Sequence, residues 1–296
     1  MHDDMRHSGV TGLTITYRDS DYTLRCVDSL LKEGACHVLV VDNSADGGKT
    51  AAELKEIMRH NPAATVLVTD RNVGFARAVN LGLKWLDENF PGRLVCLLNN
   101  DARLLDGAIE RMRAALQQRP EAAIAFPTVD NDGVATGPLH YNSIFGTIHR
   151  KKAACSMPYA TGCCMLIDPS KTGIPLFDED FFLYGEDVEL AHRLGPERYV
   201  HVPETLVWHA GSASSGFASD TYEFNTVVSH WLLARKLSRS RMEFALYLAG
   251  RAVALPARAL LRSWRYRSPV PLKAFLAGTR RAIEDMYSAK VERVDG

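Results

Sequence analysis

The first half of the chain alternates between short apolar runs and stretches with apolar residues at helical spacing. Residues 10–16 (VTGLTIT), 37–41, 65–68, 94–98 and 122–126 are apolar and rich in β-branched side chains. Continuous apolar runs of this length, closed by polar residues, predict strands buried on both faces. Between them, Leu24, Val27, Leu30 and Leu31 mark a helix over 22–31, and Val79, Leu83 and Leu86 one over 76–86. Residues 50–59, stopped near Asn61-Pro62, and 106–118 complete the set. Strands alternating with helices imply βαβ units and a largely parallel sheet.

The runs end in polar clusters. The first stops at Thr16 and Tyr17, the second at Asp42, Asn43 and Ser44, and the fourth at Asn99, Asn100 and Asp101. The loop after the third holds Asn72, Gly74 and Phe75. In open α/β sheets, ligands bind outside the carboxyl ends of the strands. A carboxylate beside two amides suits a divalent cation carrying a phosphate. Asn and Asp also favour plain turns, but four polar ends on one edge point to a nucleotide pocket. No GxGxxG follows the first run and no GxxxxGK[ST] occurs, which speaks against a dinucleotide fold and a P-loop.

In the second half, 130–152 is polar and aperiodic, an excursion over the sheet able to meet an acceptor. Residues 159–167 (YATGCCMLI) read as a strand in which Gly162 marks a tight backbone approach. Residues 176–194 carry Asp178, Glu179, Asp180, Glu186 and Asp187 among aromatics. Glu186 and Asp187 follow Gly185 and open a helix, where the helix dipole favours acids in any case. A carboxylate there is also a general base if it reaches an acceptor hydroxyl. Short strands over 199–203 and 205–208 lead to His209 and the small-residue loop 211–216, which suits a flap over a ligand.

The 296 residues are 46% hydrophobic and 24% charged with zero formal net charge, so the molecule as a whole favours no partner by its field. The six cysteines form no CxxC pair and read as small buried thiols of a reducing compartment. The first nine residues lack an apolar core for a secretory signal, and no run of 18 uninterrupted apolar residues occurs. The expected location is cytoplasmic.

Three segments in order, VLVVDNSADGG (38–48), NVGFARAVNLGL (72–83) and LLNND (97–101), resemble family 2 glycosyltransferases of the GT-A fold, and most of all the bacterial rhamnosyltransferase-like branch. The resemblance runs from residue 10 to residue 237. It implies a Rossmann-like, mostly parallel GT-A sheet and an inverting transfer of a hexosyl unit (rhamnosyl, glucosyl or galactosyl) from a UDP- or dTDP-sugar. The acceptor would be a glycan, lipid-linked in cell-surface polysaccharide synthesis. It assigns Thr16, Tyr17, Asp42, Asn43, Asn72, Gly74, Phe75, Asn99 and Asn100 to the nucleotide-sugar site. Asp187 becomes the base and Glu186 its neighbour toward the acceptor. Asp101 and His209 become ligands of Mg²⁺ or Mn²⁺, although Asn99 stands where the first acid of a DxD motif is expected. The different-class alternative is a non-catalytic nucleotide-sugar binder. A sugar-nucleotide-forming transferase is disfavoured, because no basic Gly-rich loop follows the first strand.

From Tyr222 the composition shifts. Residues 224–237 predict a helix, and 239–267 a second, broken at Pro256. Between Arg235 and Arg281 twelve basic residues face one acid, Glu243. We therefore expect a catalytic domain over 1–218 and a helical extension over 219–296. The extension suits packed solvated helices, a homo-oligomer contact or an anionic membrane surface on the inner face of the cell membrane. Nucleic acid is set aside, because no recognised motif accompanies the charge.

Overall fold

A computed structural model describes residues 9–211 and 219–291, with side chains to 285. Most of loop 211–216 thus lies outside the described residues. In chain order the first half comprises β1 (Val10–Thr16), α1 (Ser20–Lys32), β2 (His37–Asp42), α2 (Lys49–Ile57), β3 (Ala64–Val68), α3 (Phe75–Asn89), β4 (Leu94–Leu98), β5 (Ala102–Leu104), α4 (Ala108–Gln118) and β6 (Ile124–Asn131). The excursion expected over 130–152 contains β7 (Val134–Thr136), β8 (Leu139–Asn142) and β9 (Thr147–His149). After it come β10 (Ser156–Tyr159), β11 (Cys164–Ile167), α5 (Pro169–Thr172), α6 (Glu186–Leu194) and β12 (Tyr199–His209). Three helices close the chain: α7 (Asp220–Lys236), α8 (Arg241–Tyr266) and α9 (Val270–Val291).

The main sheet runs β3-β2-β1-β4-β11-β6-β12-β5. Its first four strands are parallel, as the alternating pattern implies. The second half is mixed. β11 returns antiparallel and inserts between β4 and β6, so the fifth expected strand does not neighbour the fourth. Alternate residues of each strand feed opposite cores. Val38, Val40, Cys96 and Leu98 pack with α1, α2 and α4, whereas Leu39, Val41, Val95 and Leu97 pack with α3, α6 and α7. Burial on both faces explains the unbroken apolar runs.

Three expectations need correction. The stretch 159–167 is two strands, because the chain turns at 160–163 to cross between sheets. Residues 199–209 form one strand with bulges rather than two. Pro256 lies inside α8 and does not end it. The carbonyl that loses its partner to a proline four residues on belongs to Ala252, which is exposed and can turn to water. Of the cysteines, Cys36 and Cys155 are exposed and the other four buried, all free.

The boundary expected at 218/219 is no gap in packing. Leu233 and Leu237 belong to the same core as Leu97 and Val188. A smaller cluster of Val227, Trp231, Leu255 and Ala282 binds α7, α8 and α9 together.

Candidate active site

The carboxyl ends of the parallel strands open into one cleft of about 1760 Å³. Tyr17, Asn43, Asn72, Gly74, Phe75, Asn99, Asn100, Asp101, Glu186, Asp187 and His209 all line it. Thr16 and Asp42 do not: they are the buried last residues of β1 and β2, and their side chains bond to the turns that follow. The Thr16 hydroxyl donates to the Asp19 carbonyl at 3.1 Å, and Asp42 accepts from the Ser44 N–H at 3.0 Å.

On the rim formed by the ends of β1 to β4, Asn43 is a bracket. Its Oδ1 accepts from the Val73 N–H (2.9 Å) and the Thr69 hydroxyl (3.1 Å), and its Nδ2 donates to Asn72 Oδ1 (2.9 Å). These bonds hold the loop before α3 open toward the cleft. Gly74 has φ +85° and ψ 170°, a region essentially reserved for glycine. A Cβ there would press into the Phe182 carbonyl, which accepts from the Phe75 N–H at 2.7 Å.

Two strand pairings create the acid–imidazole pair. β12 runs antiparallel to β5, matching His209 with Ala102, and parallel to β6, matching it with Asn131. His209 therefore lands beside Asp101, with Nε2 at 3.0 Å from Asp101 Oδ1 and Nδ1 at 2.8 Å from Asn131 Oδ1. Nδ1–H donating to the Asn131 amide oxygen is the tautomer that leaves the Nε2 lone pair facing the Asp101 carboxylate. Two electron-rich atoms at 3.0 Å require a proton or a cation between them. A metal-binding histidine characteristically donates its second ring N–H to such an anchor. The donor set thus fits a divalent ion completed by a diphosphate. Asn99 supplies an amide where a second carboxylate would add charge. Among the described residues no group of three or more His, Cys, Asp or Glu side chains gathers to hold a metal. Sequence reasoning missed Asn131, since nothing local marks a residue that register alone delivers.

The acidic turn sits across from this rim. Tyr184 (φ 68°) and Gly185 (φ 88°) are consecutive left-handed residues before α6. A Cβ on Gly185 would crowd Phe181, Leu233 and Ser229 within 3.1–3.2 Å. The turn aims Glu186 and Asp187 inward. Asp187 Oδ1 accepts from the Val188 N–H (2.8 Å) and Oδ2 from the Gly162 N–H (3.3 Å). A Cβ on Gly162 would meet Phe75 only at 3.5 Å, so the tight approach expected there is not found. Burial pushes the Asp187 carboxyl up to about 6, against those two hydrogen bonds. Burial, then the charge of Asp187, pushes Glu186 up to about 8. Among the described residues, the buried Oε2 atom of Glu186 has no hydrogen-bond partner.

The opposite wall is C-terminal. Phe224, Val228 and Leu232 of α7 and Lys273, Ala277 and Arg281 of α9 face the cleft. The Ser229 hydroxyl lies 3.0 Å from the Leu183 carbonyl and 2.7 Å from that of Tyr184, bracing the acidic turn. Lys236 spans Asp178 and Asp180 at 2.5 and 2.6 Å, so two of the five acids are structural ties.

Residues 13–172, more than half of the chain and including every residue named on the β1 to β4 rim, match the model of glycosyl transferase family 2. The chain belongs to that family. It is 27% identical over 245 residues to an N-acetylglucosaminyl-diphospho-decaprenol L-rhamnosyltransferase of Mycobacterium tuberculosis, covering 69% of this chain and 76% of that one. It is also 27% identical to the O-antigen biosynthesis protein RfbC of Myxococcus xanthus, over 71% of this chain and 18% of that one. A match of 26% to the dTDP-rhamnosyl transferase RfbF of Shigella flexneri covers 43% and 40%. This glycosyltransferase therefore stands in the rhamnosyltransferase-like branch. Among solved structures, GalNAc-T7 with UDP, GalNAc and Mn²⁺ superposes with a TM-score of 0.57 at 12% identity, over 87% of this chain and 58% of that one. S. aureus TarS 1-349 superposes with a TM-score of 0.54 at 14% identity, over 86% and 74%. The fold is GT-A.

Proposed function

We propose that the protein transfers a rhamnosyl unit, with inversion, from a dTDP-sugar to a hydroxyl of a diphosphate-lipid-linked saccharide in polysaccharide synthesis. One observation carries the reading: Asp187 and the Asp101–His209 pair line the same cleft. The names of the relatives in Mycobacterium and Shigella supply the sugar, the nucleotide and the lipid-linked acceptor.

In this reading Tyr17, Asn43, Asn72, Gly74, Asn99 and Asn100 cradle the nucleotide and sugar. Asp101 and His209 hold Mg²⁺ or Mn²⁺, which when bound neutralises charge on the leaving diphosphate. Asp187 takes the proton from the acceptor hydroxyl as that oxygen attacks the anomeric carbon from the face opposite the diphosphate. The C–O bond to diphosphate breaks as the new glycosidic bond forms. The raised proton affinity of Asp187 suits a base that works near neutral pH.

The test is nucleoside diphosphate release from a panel of dTDP-, UDP- and GDP-sugars. It is run with and without a lipid-linked glycan extract, with Mg²⁺, Mn²⁺ or EDTA, beside Asp187→Asn. Metal-dependent release from one donor, lost in the variant, is the expected result. Asn99 in place of an acid favours a second reading, a non-catalytic nucleotide-sugar binder. Donor binding by calorimetry without release from any donor or acceptor would select it. Release unchanged in Asp187→Asn would remove Asp187 from the role of base.

A further inference from the structure

The outward side of α8 is apolar from end to end. Met242, Ala245, Leu246, Ala249, Ala252, Val253, Ala257, Leu260, Leu261 and Trp264 are exposed, whereas the charged residues between Arg241 and Arg265 (Glu243, Arg251, Arg258 and Arg262) are half-buried or buried. The spacing is three or four residues throughout, so the side chains form one stripe about 33 Å long. Met242 is 81% exposed, Val253 69% and Trp264 79%, and no described residue covers them. Scattered exposed apolar side chains are ordinary, but a continuous face of this size marks an interaction surface.

The inward side explains why the sequence pattern concealed this. The arginines that break the apolar run all turn inward. Arg251 is fully buried and donates to the carbonyls of His230 (2.7 Å) and Ser143 (2.7 Å). Arg258 and Arg262 clasp the buried Glu223 of α7 at 3.1 and 2.5 Å. The helix has the length and mean hydropathy of a membrane span. Yet these ties fasten its other side to α7 and the 139–149 hairpin along its length, so only the outer face of the helix is open to a surface. That geometry suits a helix lying flat.

Charge selects the occupant. Arg241 caps one end of the stripe, and Arg265 and Arg267 the other, all exposed. Trp264 and Tyr266 sit among the latter pair, as aromatic and basic side chains do at a lipid headgroup boundary. A second copy fits poorly. Parallel pairing about a two-fold axis sets each arginine against itself, and antiparallel pairing sets Arg241 against Arg265, with only Glu243 to offset either. An anionic surface satisfies both ends at once.

We propose that the exposed face of α8, Met242 to Trp264 with Arg241, Arg265 and Arg267 at its ends, docks the protein flat onto an anionic lipid bilayer. The apolar stripe enters the headgroup–acyl boundary and the arginines meet lipid phosphates. The surface is separate from the cleft, so its test needs no turnover, and failure of the transferase reading leaves it standing.

The experiment is flotation of the full chain with phosphatidylcholine vesicles, with and without phosphatidylglycerol, at low and high salt. The protein is expected to float with the anionic vesicles and to release at high salt. Val253→Glu with Leu260→Glu lowers partitioning about tenfold or more by putting charge into the buried stripe. Arg265→Gln and Arg267→Gln each lower it about fivefold on anionic vesicles only. The fluorescence of Trp264 shifts to the blue on vesicles in the unaltered chain, and the shift disappears in Trp264→Phe, a readout independent of whether the glutamate variant folds. No flotation with either vesicle overturns the proposal, as does flotation that the stripe variant retains. A dimer that Val253→Glu with Leu260→Glu converts to monomer, without lipid binding, assigns the face to a second copy instead.

Discussion

Glu186→Gln separates a buried, proton-holding carboxyl from an ordinary surface acid. The side chain is 5% exposed and Oε2 has no partner among the described residues, so ionisation leaves a poorly compensated charge in a buried turn. Its pKa rises from the ordinary 4.5 to about 8 in the fold. The native state therefore binds the proton more tightly than the unfolded chain, and stability falls as pH rises. Below about 4.5 both states are protonated and nothing is lost. Between 4.5 and about 8 only the unfolded chain releases the proton, and each pH unit removes about 1.4 kcal/mol. Above that window the loss, roughly 3 to 5 kcal/mol in all, is complete. Glutamine mimics the protonated acid and has no such slope. Its extra N–H adds a pH-independent offset of about 1 kcal/mol. Urea unfolding of both proteins from pH 5 to 9 should show curves that diverge in favour of the variant as pH rises. Parallel curves would mean that Glu186 ionises as a solvated acid, and the account from burial would be wrong.

Turnover should fall as pH drops through about 6, where Asp187 takes up its proton and stops acting as base, and an acid limb in the pH–rate profile of kcat checks this. Ser229→Ala removes both hydrogen bonds to the turn carbonyls and should cost about 1 to 2 kcal/mol by thermal melting, with kcat falling more than donor KM rises. Gly74→Ala forces a Cβ into the Phe182 carbonyl at a glycine-only φ, and should destabilise by about 2 kcal/mol or more in the same assay. His209→Ala should raise the Mn²⁺ concentration needed for half-maximal turnover, about tenfold or more, and added metal should restore activity.

The parallel half of the fold was legible because both its faces are covered, which leaves runs such as 10–16 unbroken, and β1 begins and ends where the pattern does. The polar strand ends were legible for the same reason, since the boundary of each run is sharp. Partnership was not. That β11 slots between β4 and β6, or that β5 and β6 flank β12, depends on residues far apart in the chain, and local periodicity does not carry that information. Asn131 and Ser229 consequently carry no signal in the sequence, while Asp101 stands out as a carboxylate beside two amides and its pairing with His209 comes from the resemblance. Asp42 and Thr16 have the residue types of a ligand site, yet their side chains are spent on local turns. Pro256 breaks a helix in the pattern and not in the fold, because the residue whose carbonyl it orphans, Ala252, is exposed.

The bond from Ser229 to the carbonyls of Leu183 and Tyr184 bears on protein engineering. Exchanging α7–α9 between relatives is an obvious route to a new acceptor, since these helices wall the cleft. The same exchange replaces the brace behind Asp187. A chimaera that recognises its new acceptor can still be slow, unless residue 229 and the geometry of its helix are carried across with it. If the proposed roles hold, recognition and reactivity meet in one helix and would have to be redesigned together.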